Sequence, residues 1–262
     1  MSNKNFKITV LGCGTSTGVP VIGCHCPVCK STNPKNNRLR SSIMIQHNKQ
    51  NIIIDTSTDF RFQALRSNIE NVQAVLFTHH HADHVHGLDE LRIFSHKNKS
   101  RIPCYGIKES LHYLKKMYFY TFDEKVQIGG GVPQIELIEV EQPFFVSGIK
   151  IIPVQVFHGK LTITGYRFFD VAYITDSSKI PDASKNMLKN LKLLFLNALR
   201  EKPHPTHFCI SEALDVIEEL KPEQAVLTHL GHQIDYEKEN KNLPENVSIA
   251  YDGMEFQFPE VK

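Results

Sequence analysis

Thr78-His79-His80-His81-Ala82-Asp83-His84 carries the spacing H-x-H-x-D-H, in which three imidazoles and a carboxylate fall within six residues. Random placement of the chain's His and Asp residues gives that spacing in on the order of one chain in a thousand. Imidazole nitrogens bind first-row metals, and an added carboxylate can serve a second cation. The flanking sequence matters as much. Val72-Gln73-Ala74-Val75-Leu76-Phe77 reads as a buried strand, and Gly87-Leu88-Asp89-Glu90-Leu91-Arg92-Ile93-Phe94 as the helix after it. The ligand candidates therefore sit on a strand-to-helix turn, where α/β folds place their chemistry. His80 and His86 lie outside the pattern and are expected to face solvent or to support the others.

Outward from this turn, strand-like runs recur at 6–11, 42–46, 51–55, 72–78 and 102–106. A second series occupies 144–146, 149–157, 162–169, 171–175, 191–197, 225–228 and 248–251. Helical patterns fall between them at 60–67, 84–95, 109–119, 184–190, 211–220 and 236–242. Several of the strand runs are apolar on both faces, which suits sheets covered on each side. Gly129-Gly130-Gly131-Val132-Pro133 divides the two series and is read as a surface loop, because ligand candidates occur on both sides of it. The chain is read as one domain over 1–262, with a zinc-binding loop at about 23–30.

Composition excludes several function classes. A net charge of +2 gives no field for bulk nucleic-acid binding. No apolar run reaches membrane-spanning length, so no membrane partner is expected. The first residues lead straight into a strand-like segment without the apolar core of a signal peptide, which makes the cytoplasm the default location. No pattern bears on oligomeric state, and a homodimer is compatible with the sequence. Six cysteines in an intracellular chain seldom mean disulfides. Three of them cluster as Cys24-His25-Cys26-Pro27-Val28-Cys29, while Cys13, Cys104 and Cys209 read as small buried hydrophobes. Soft thiolates select zinc, and a closed Cys₃His site is structural. His232, in His229-Leu230-Gly231-His232-Gln233, is the candidate fourth ligand, and His25 the alternative.

Three further residues sit at strand ends: His158 in Val156-Phe157-His158-Gly159, Asp176 in Ile174-Thr175-Asp176-Ser177, and His229 in Leu227-Thr228-His229-Leu230. Each alone reads as a turn or loop residue. Their order after H-x-H-x-D-H, together with Asp55 in Ile52-Ile53-Ile54-Asp55, resembles the metallo-β-lactamase superfamily from about residue 8 to 251. The resemblance implies an αββα sandwich of two mixed β-sheets flanked by helices. It implies that His79, His81 and His158 hold one metal, that Asp83, His84 and His229 hold a second, and that Asp176 bridges them. Asp55 would orient the ligand loop. A water held between two such cations ionises near neutral pH and becomes the nucleophile.

The opening Gly12-Cys13-Gly14-Thr15-Ser16-Thr17-Gly18-Val19-Pro20, the three-cysteine loop, Leu227-Thr228-His229-x-x-His232-Gln233 and Tyr251-Asp252-Gly253-Met254-Glu255 sharpen the resemblance. They are similar to the phosphoribosyl cyclic phosphate phosphodiesterases of the carbon–phosphorus lyase pathway. This implies two catalytic manganese or zinc ions and one structural zinc, with Cys24, Cys26, Cys29 and His232 holding the latter. It also makes His207, in Pro205-Thr206-His207-Phe208, a catalytic group beside Asp83 and Asp55. An imidazole before an apparent helix is suited to protonating a leaving alkoxide. His204, between prolines, reads as a plain loop residue.

The expected function is cleavage of a small or cyclic phosphodiester. Lys160, Arg38 and Arg40 are the candidate phosphate-binding cations, though solvated surface charge is the more ordinary role for each. The same ligands also resemble ribonuclease Z, with Glu212 following a His at matching spacing. No protruding arm or basic aromatic stripe for RNA is present, so nucleic acid is the less favoured substrate. A thioesterase or lactonase on the same fold is the acyl alternative, and a quinone-cofactor biosynthetic protein with a Cys-rich opening is a more distant relative.

Overall fold

The structure, a computed structural model, describes residues 5–123 and 131–259. Strands β1 (Asn5–Gly12), β2 (Ser42–His47), β3 (Gln50–Ile54), β4 (Ala74–Leu76), β5 (Ile102–Gly106) and β6 (Ile135–Glu139) belong to one sheet. Strands β7 (Phe144–Val146), β8 (Ile149–His158), β9 (Leu161–Phe168), β10 (Val171–Ile174), β11 (Leu193–Asn197), β12 (Gln224–Thr228) and β13 (Val247–Ile249) form the other. The last strand, β14 (Glu255–Pro259), returns to the first sheet as a neighbour of β1. The orders are β14-β1-β2-β3-β4-β5-β6 and β13-β12-β11-β10-β9-β8-β7. In each sheet an antiparallel meander gives way to parallel strands, at β3–β4 in the first and β10–β11 in the second.

Parallel neighbours need crossovers, and helices supply them. Helix α1 (Phe60–Arg66) links β3 to β4, α2 (Ala82–Val85) and α3 (Leu91–Asn98) link β4 to β5, and α4 (Lys108–Met117) and α5 (Phe119–Phe122) follow β5. In the second half, α6 (Asp182–Met187), α7 (Ile210–Leu220) and α8 (Tyr236–Asn240) serve the same purpose. The expected architecture of two mixed sheets flanked by helices is the one observed.

Side-chain alternation explains why the strands read as apolar throughout. Ile52, Ile54, Ala74 and Leu76 face the core shared by both sheets, whereas Ile53 and Val75 face outward onto Phe60, Leu88 and Leu91. Two elements depart from the sequence reading. The run at 72–78 yields only three residues of strand, and the helix expected over 84–95 is broken into α2, a 3₁₀ turn at Leu88–Glu90, and α3. Gly87 is the reason. Its N–H donates to Thr56 O at 2.9 Å, and a Cβ there would lie 2.2 Å from Ser57 O. The chain must pass against the loop after β3, so a continuous helix does not fit. Strands β6 and β14, both sheet edges, were not anticipated. Of the expected loop at 129–133, residues 129 and 130 lie outside the described residues, and 131–133 carry no regular structure.

The two sheets are tied together beside the histidine run. Tyr166 Oη on β9 donates to Phe77 O at 2.7 Å, and Thr164 N donates to Thr78 O at 3.0 Å. Tyr166 is fully buried. Tyr166→Phe removes a donor from a buried carbonyl and is expected to cost about 1–3 kcal/mol in urea unfolding. An unchanged unfolding free energy would show that this tie contributes nothing.

Candidate metal centre

Every candidate ligand lies just past the end of a strand. Asp55 follows β3, the His79–His84 run follows β4, His158 ends β8, Asp176 follows β10 and His229 follows β12. Asp55, Asp176 and His229 have φ of 64°, 57° and 56°. Asp and His tolerate this left-handed region better than most residues, and such backbone clusters at functional sites.

The structure brings these residues into two adjoining groups, His79, His81 and His158, and Asp83, His84, Asp176 and His229. In the second group, His84 Nε2 lies 3.1 Å from Asp83 Oδ2 and 3.3 Å from Asp176 Oδ1, which is itself 3.1 Å from His229 Nδ1. Donors about 2.1 Å from one ion are separated by roughly 3.0–3.4 Å, so this spacing fits a shared cation. Asp176 Oδ2 points the other way, toward His207 Nε2 at 3.3 Å.

The opposite ring atoms are held by the protein. His84 Nδ1 donates to Asp55 Oδ2 at 2.7 Å, and Asp55 in turn accepts from Thr78 N at 2.8 Å and Thr78 Oγ1 at 2.7 Å. His79 Nδ1 meets Thr78 Oγ1 at 3.0 Å, and His158 Nδ1 donates to Thr206 O at 2.8 Å. His229 departs from this pattern, since Ser41 Oγ meets the same Nδ1 that faces Asp176 while Thr15 Oγ1 meets Nε2. Fixing one nitrogen orients the other, as in metal-ligating imidazoles generally. Accordingly, among the described residues, His79 Nε2 is buried without a hydrogen-bond partner, and His84 Nε2 faces only the Asp83 and Asp176 carboxylates. Orphaned buried polar atoms are costly, and a metal ion is the partner that this donor set suits.

The electrostatics agree. Burial raises the Asp55 carboxyl above its ordinary range. Burial also works against the charged form of His84, but Asp176, Asp83 and Asp55 around it outweigh burial and raise that ring well above the usual histidine. Burial lowers His79 well below the ordinary range and His229 to about 4, favouring the neutral imidazole that metals require.

The cysteine loop forms a second centre. Sγ of Cys24, Cys26 and Cys29 lie 3.3, 3.5 and 3.5 Å from His232 Nδ1. Tetrahedral zinc with bonds of about 2.3 Å to sulfur and 2.05 Å to nitrogen separates those atoms by roughly 3.5 Å. The Cys29 backbone N–H, donating to Sγ, draws Cys26 down to about 6, and partial burial pushes Cys29 up to about 11. His25 is exposed and outside this group.

The three phosphate-binding candidates fall in different settings. Arg38 is buried, with its guanidinium donating to Gly231 O, Ile234 O and Asn36 Oδ1, so it braces the loop carrying His232 and does not meet substrate. Arg40 is paired with Asp59 at 2.9 Å and donates to Ser16 O. Lys160 is exposed in the β8–β9 turn. Glu212 Oε2 accepts from Cys209 N at 2.8 Å and caps α7. His80 stacks on Tyr113 with centroids 4.4 Å apart, apart from the ligand groups. Sequence reasoning missed His204, which touches His207, as well as Thr15, Ser41 and Thr206. Hydroxyls and single loop imidazoles carry no spacing signal.

Against known proteins, the family model described as Beta-lactamase superfamily domain matches residues 50–230. The chain belongs to the beta-lactamase superfamily and has the metallo-β-lactamase fold. Among solved structures it is similar to a diphosphatase of the PhnP family, with 42% identity, a TM-score of 0.91 and 97% of each chain covered. The short form of human tRNase Z shares the fold at 17% identity and a TM-score of 0.69, over 95% of this chain and 98% of that one. A curated relative, an octanoyltransferase of Porphyromonas gingivalis (strain ATCC BAA-308 / W83), is 38% identical over 255 residues. That alignment takes in 95% of this chain, but the chain spans only about half (51%) of that relative's length.

Two substitutions test the centres. Asp55→Asn removes the charge aligning His84 and is expected to weaken divalent-metal binding about 10–100-fold by titration calorimetry. Unchanged affinity would refute the orienting role. Cys26→Ser should cost one zinc per chain by elemental analysis and lower the melting temperature, and an unaltered zinc count would show that the thiolates bind none.

Proposed function

We propose that this chain is a dinuclear metal-dependent phosphodiesterase acting on a small or cyclic phosphodiester. The observation that carries this reading is the complete second ligand set beside the three-histidine set. Asp83, His84 and His229 join a shared Asp176, with His207 on that carboxylate's far oxygen. The PhnP-family likeness supports phosphoester chemistry. Divalent manganese or zinc in these sites supplies a water ionised near neutral pH and a Lewis acid for the phosphoryl oxygens. The protein's own groups do the rest. Asp176 holds both ligand sets in one geometry, Asp55 fixes the His84 ring, and His207 Nε2 is placed to protonate a departing alkoxide.

A third ion, zinc, is assigned to Cys24, Cys26, Cys29 and His232. The absence of any long apolar helix among the described residues agrees with a substrate met outside the membrane. A second reading has one specific support, the octanoyltransferase name of the longer Porphyromonas relative. It points to acyl chemistry on the same cluster, as in a thioesterase or lactonase.

A panel separates the two. Metal-loaded protein is expected to hydrolyse bis(p-nitrophenyl) phosphate and 2′,3′-cyclic nucleotides, and to leave octanoyl thioesters and lactones largely intact. Turnover confined to the acyl substrates would overturn the phosphodiesterase reading.

A further inference from the structure

The β8–β9 hairpin forms one wall of a groove of about 700 Å³. That volume falls within the roughly 300–1,000 Å³ typical of small-molecule sites. Three of the residues lining it adjoin the segments that carry the metal-ligand candidates. Thr162 pairs with Phe157, one register position from the His158–Leu161 pair. Thr164 donates its N–H to Thr78 O at 3.0 Å, and Thr78 precedes His79. Glu109 lies in the first turn of α4 beside Ser110, whose Oγ is 3.5 Å from His80 Nδ1. The groove therefore runs up to the His79–His81 segment on one side and to His158 on the other.

Its walls are of two kinds. Ile107, Pro143, Ile152, Pro153 and Met187 present apolar surface. Between them stand Gln142, Gln155, Thr162 and Thr164, and among the described residues none of these four side chains makes a hydrogen bond within the protein. Thr164 decides the reading. It is only 3% exposed, yet its hydroxyl has no protein partner among the described residues. Buried polar groups are normally satisfied, and a polar group of a ligand entering the groove satisfies this one. Lys108, Glu109 and Glu141 also line the groove, and among the described residues none of them is in an ion pair. Two carboxylates against one ammonium leave a negative balance. A carboxylate accepts hydrogen bonds from hydroxyls but repels phosphate.

On the phosphodiesterase reading given above, on which this assignment rests, we propose that the groove receives the organic group of the ester. It is built for a neutral, hydroxyl-bearing group, a nucleoside, that carries no second phosphate. The apolar wall takes the face of the base or sugar. Thr162, Thr164 and the two glutamines offer it donors and acceptors, and Glu109 and Glu141 accept from its hydroxyls. Selection works by exclusion as much as by attraction, since a second phosphate in the groove meets two carboxylates and one lysine. An RNA strand, with a phosphate at every step, is disfavoured for the same reason.

The first test needs no turnover. Adenosine has no phosphate for the metal ions to hold, so its binding to the metal-loaded protein reports on the groove. Saturation-transfer NMR titrations should show adenosine bound by the wild type, bound about tenfold more weakly by Thr164→Val, and retained by Thr164→Ser. The second test is kinetic. The wild type should prefer 2′,3′-cyclic AMP by at least about tenfold in kcat/KM over the same ester phosphorylated on its 5′ oxygen. Glu109→Gln combined with Glu141→Gln should bring the two within about threefold, by speeding the phosphorylated ester. Thr164→Val should raise KM for 2′,3′-cyclic AMP about tenfold with kcat little changed, and leave bis(p-nitrophenyl) phosphate, which has no hydroxyl to bind, unaffected. Glu109 and Glu141 are exposed, so their variants test the groove even where Thr164→Val folds poorly.

Adenosine left unbound, or bound equally by the wild type and a folded Thr164→Val, would overturn the groove assignment. So would a wild type that shows no preference or favours the 5′-phosphorylated ester. Absence of turnover on every phosphoester would overturn the phosphodiesterase reading, and the adenosine titration tells that failure from a failure of the groove.

Discussion

Three carboxylates, Asp55, Asp83 and Asp176, are buried around a single imidazole, His84. Burying a charge costs several kcal/mol unless it is paired, and one imidazolium cannot neutralise three carboxylates. The neighbouring rings do not help, because burial lowers His79 and His229 toward the neutral form. Without cations the cluster is therefore an electrostatic liability. Divalent cations held by these residues would remove it, and would favour the neutral His84 whose Nε2 can ligate. Metal binding and local stability are coupled through this cluster, so metal loading should be felt well beyond the ligands themselves.

The sandwich exists to bring that cluster together from distant segments. One loop after β4 provides His79, His81, Asp83 and His84, while β8, β10 and β12 of the other sheet provide His158, Asp176 and His229. Neither sheet holds a full set, so the site depends on how the sheets meet. The Tyr166–Phe77 and Thr164–Thr78 hydrogen bonds fix that meeting within one or two residues of His79. The zinc loop fixes a second point, joining the segment after β1 to the loop after β12. Buried Arg38 donates to carbonyls on either side of His232, and Thr15 and Ser41 meet the two nitrogens of the His229 ring. A metal held by the Cys24, Cys26, Cys29 and His232 group would thus bear on the position of His229, three residues from His232.

Much of this was legible in the sequence because metal ligation imposes type and order on residues. His, Asp and Cys at fixed spacings leave few alternatives, so the H-x-H-x-D-H run and the three-cysteine loop stand out from the residues alone, whereas His158, Asp176 and His229 could be grouped with them only through the family resemblance. The same holds for the mixed sheets, since strands such as β3 must be apolar on both faces once helices cover the outside. What failed was what depends on three-dimensional approach. Nothing local distinguishes Arg38, which is buried against carbonyls, from an arginine that faces substrate. The break after α2 follows from the close passage of Gly87 against Ser57, a contact between loops on different strands. Edge strands β6 and β14 pair on one side only, and their hydrophobic signal is correspondingly thin.

The loop at 204–207 shows where such reasoning meets its limit and geometry takes over. His204 is flanked by prolines, which in sequence argue for a rigid turn and nothing more. In the fold that rigidity is the point. Proline lacks an N–H and fixes φ, so Pro205 adds no competing donor and reduces the conformations open to the segment. Thr206 then offers its amide to His204, its hydroxyl to both rings and its carbonyl to His158. One residue with no chemistry of its own thus touches two histidines and orients a third, His158. Displacing this loop by even an ångström would disturb the His158 ring that it orients and the His207 ring that it carries. That shared dependence is a reason for Gly159, where any side chain would press on Thr206.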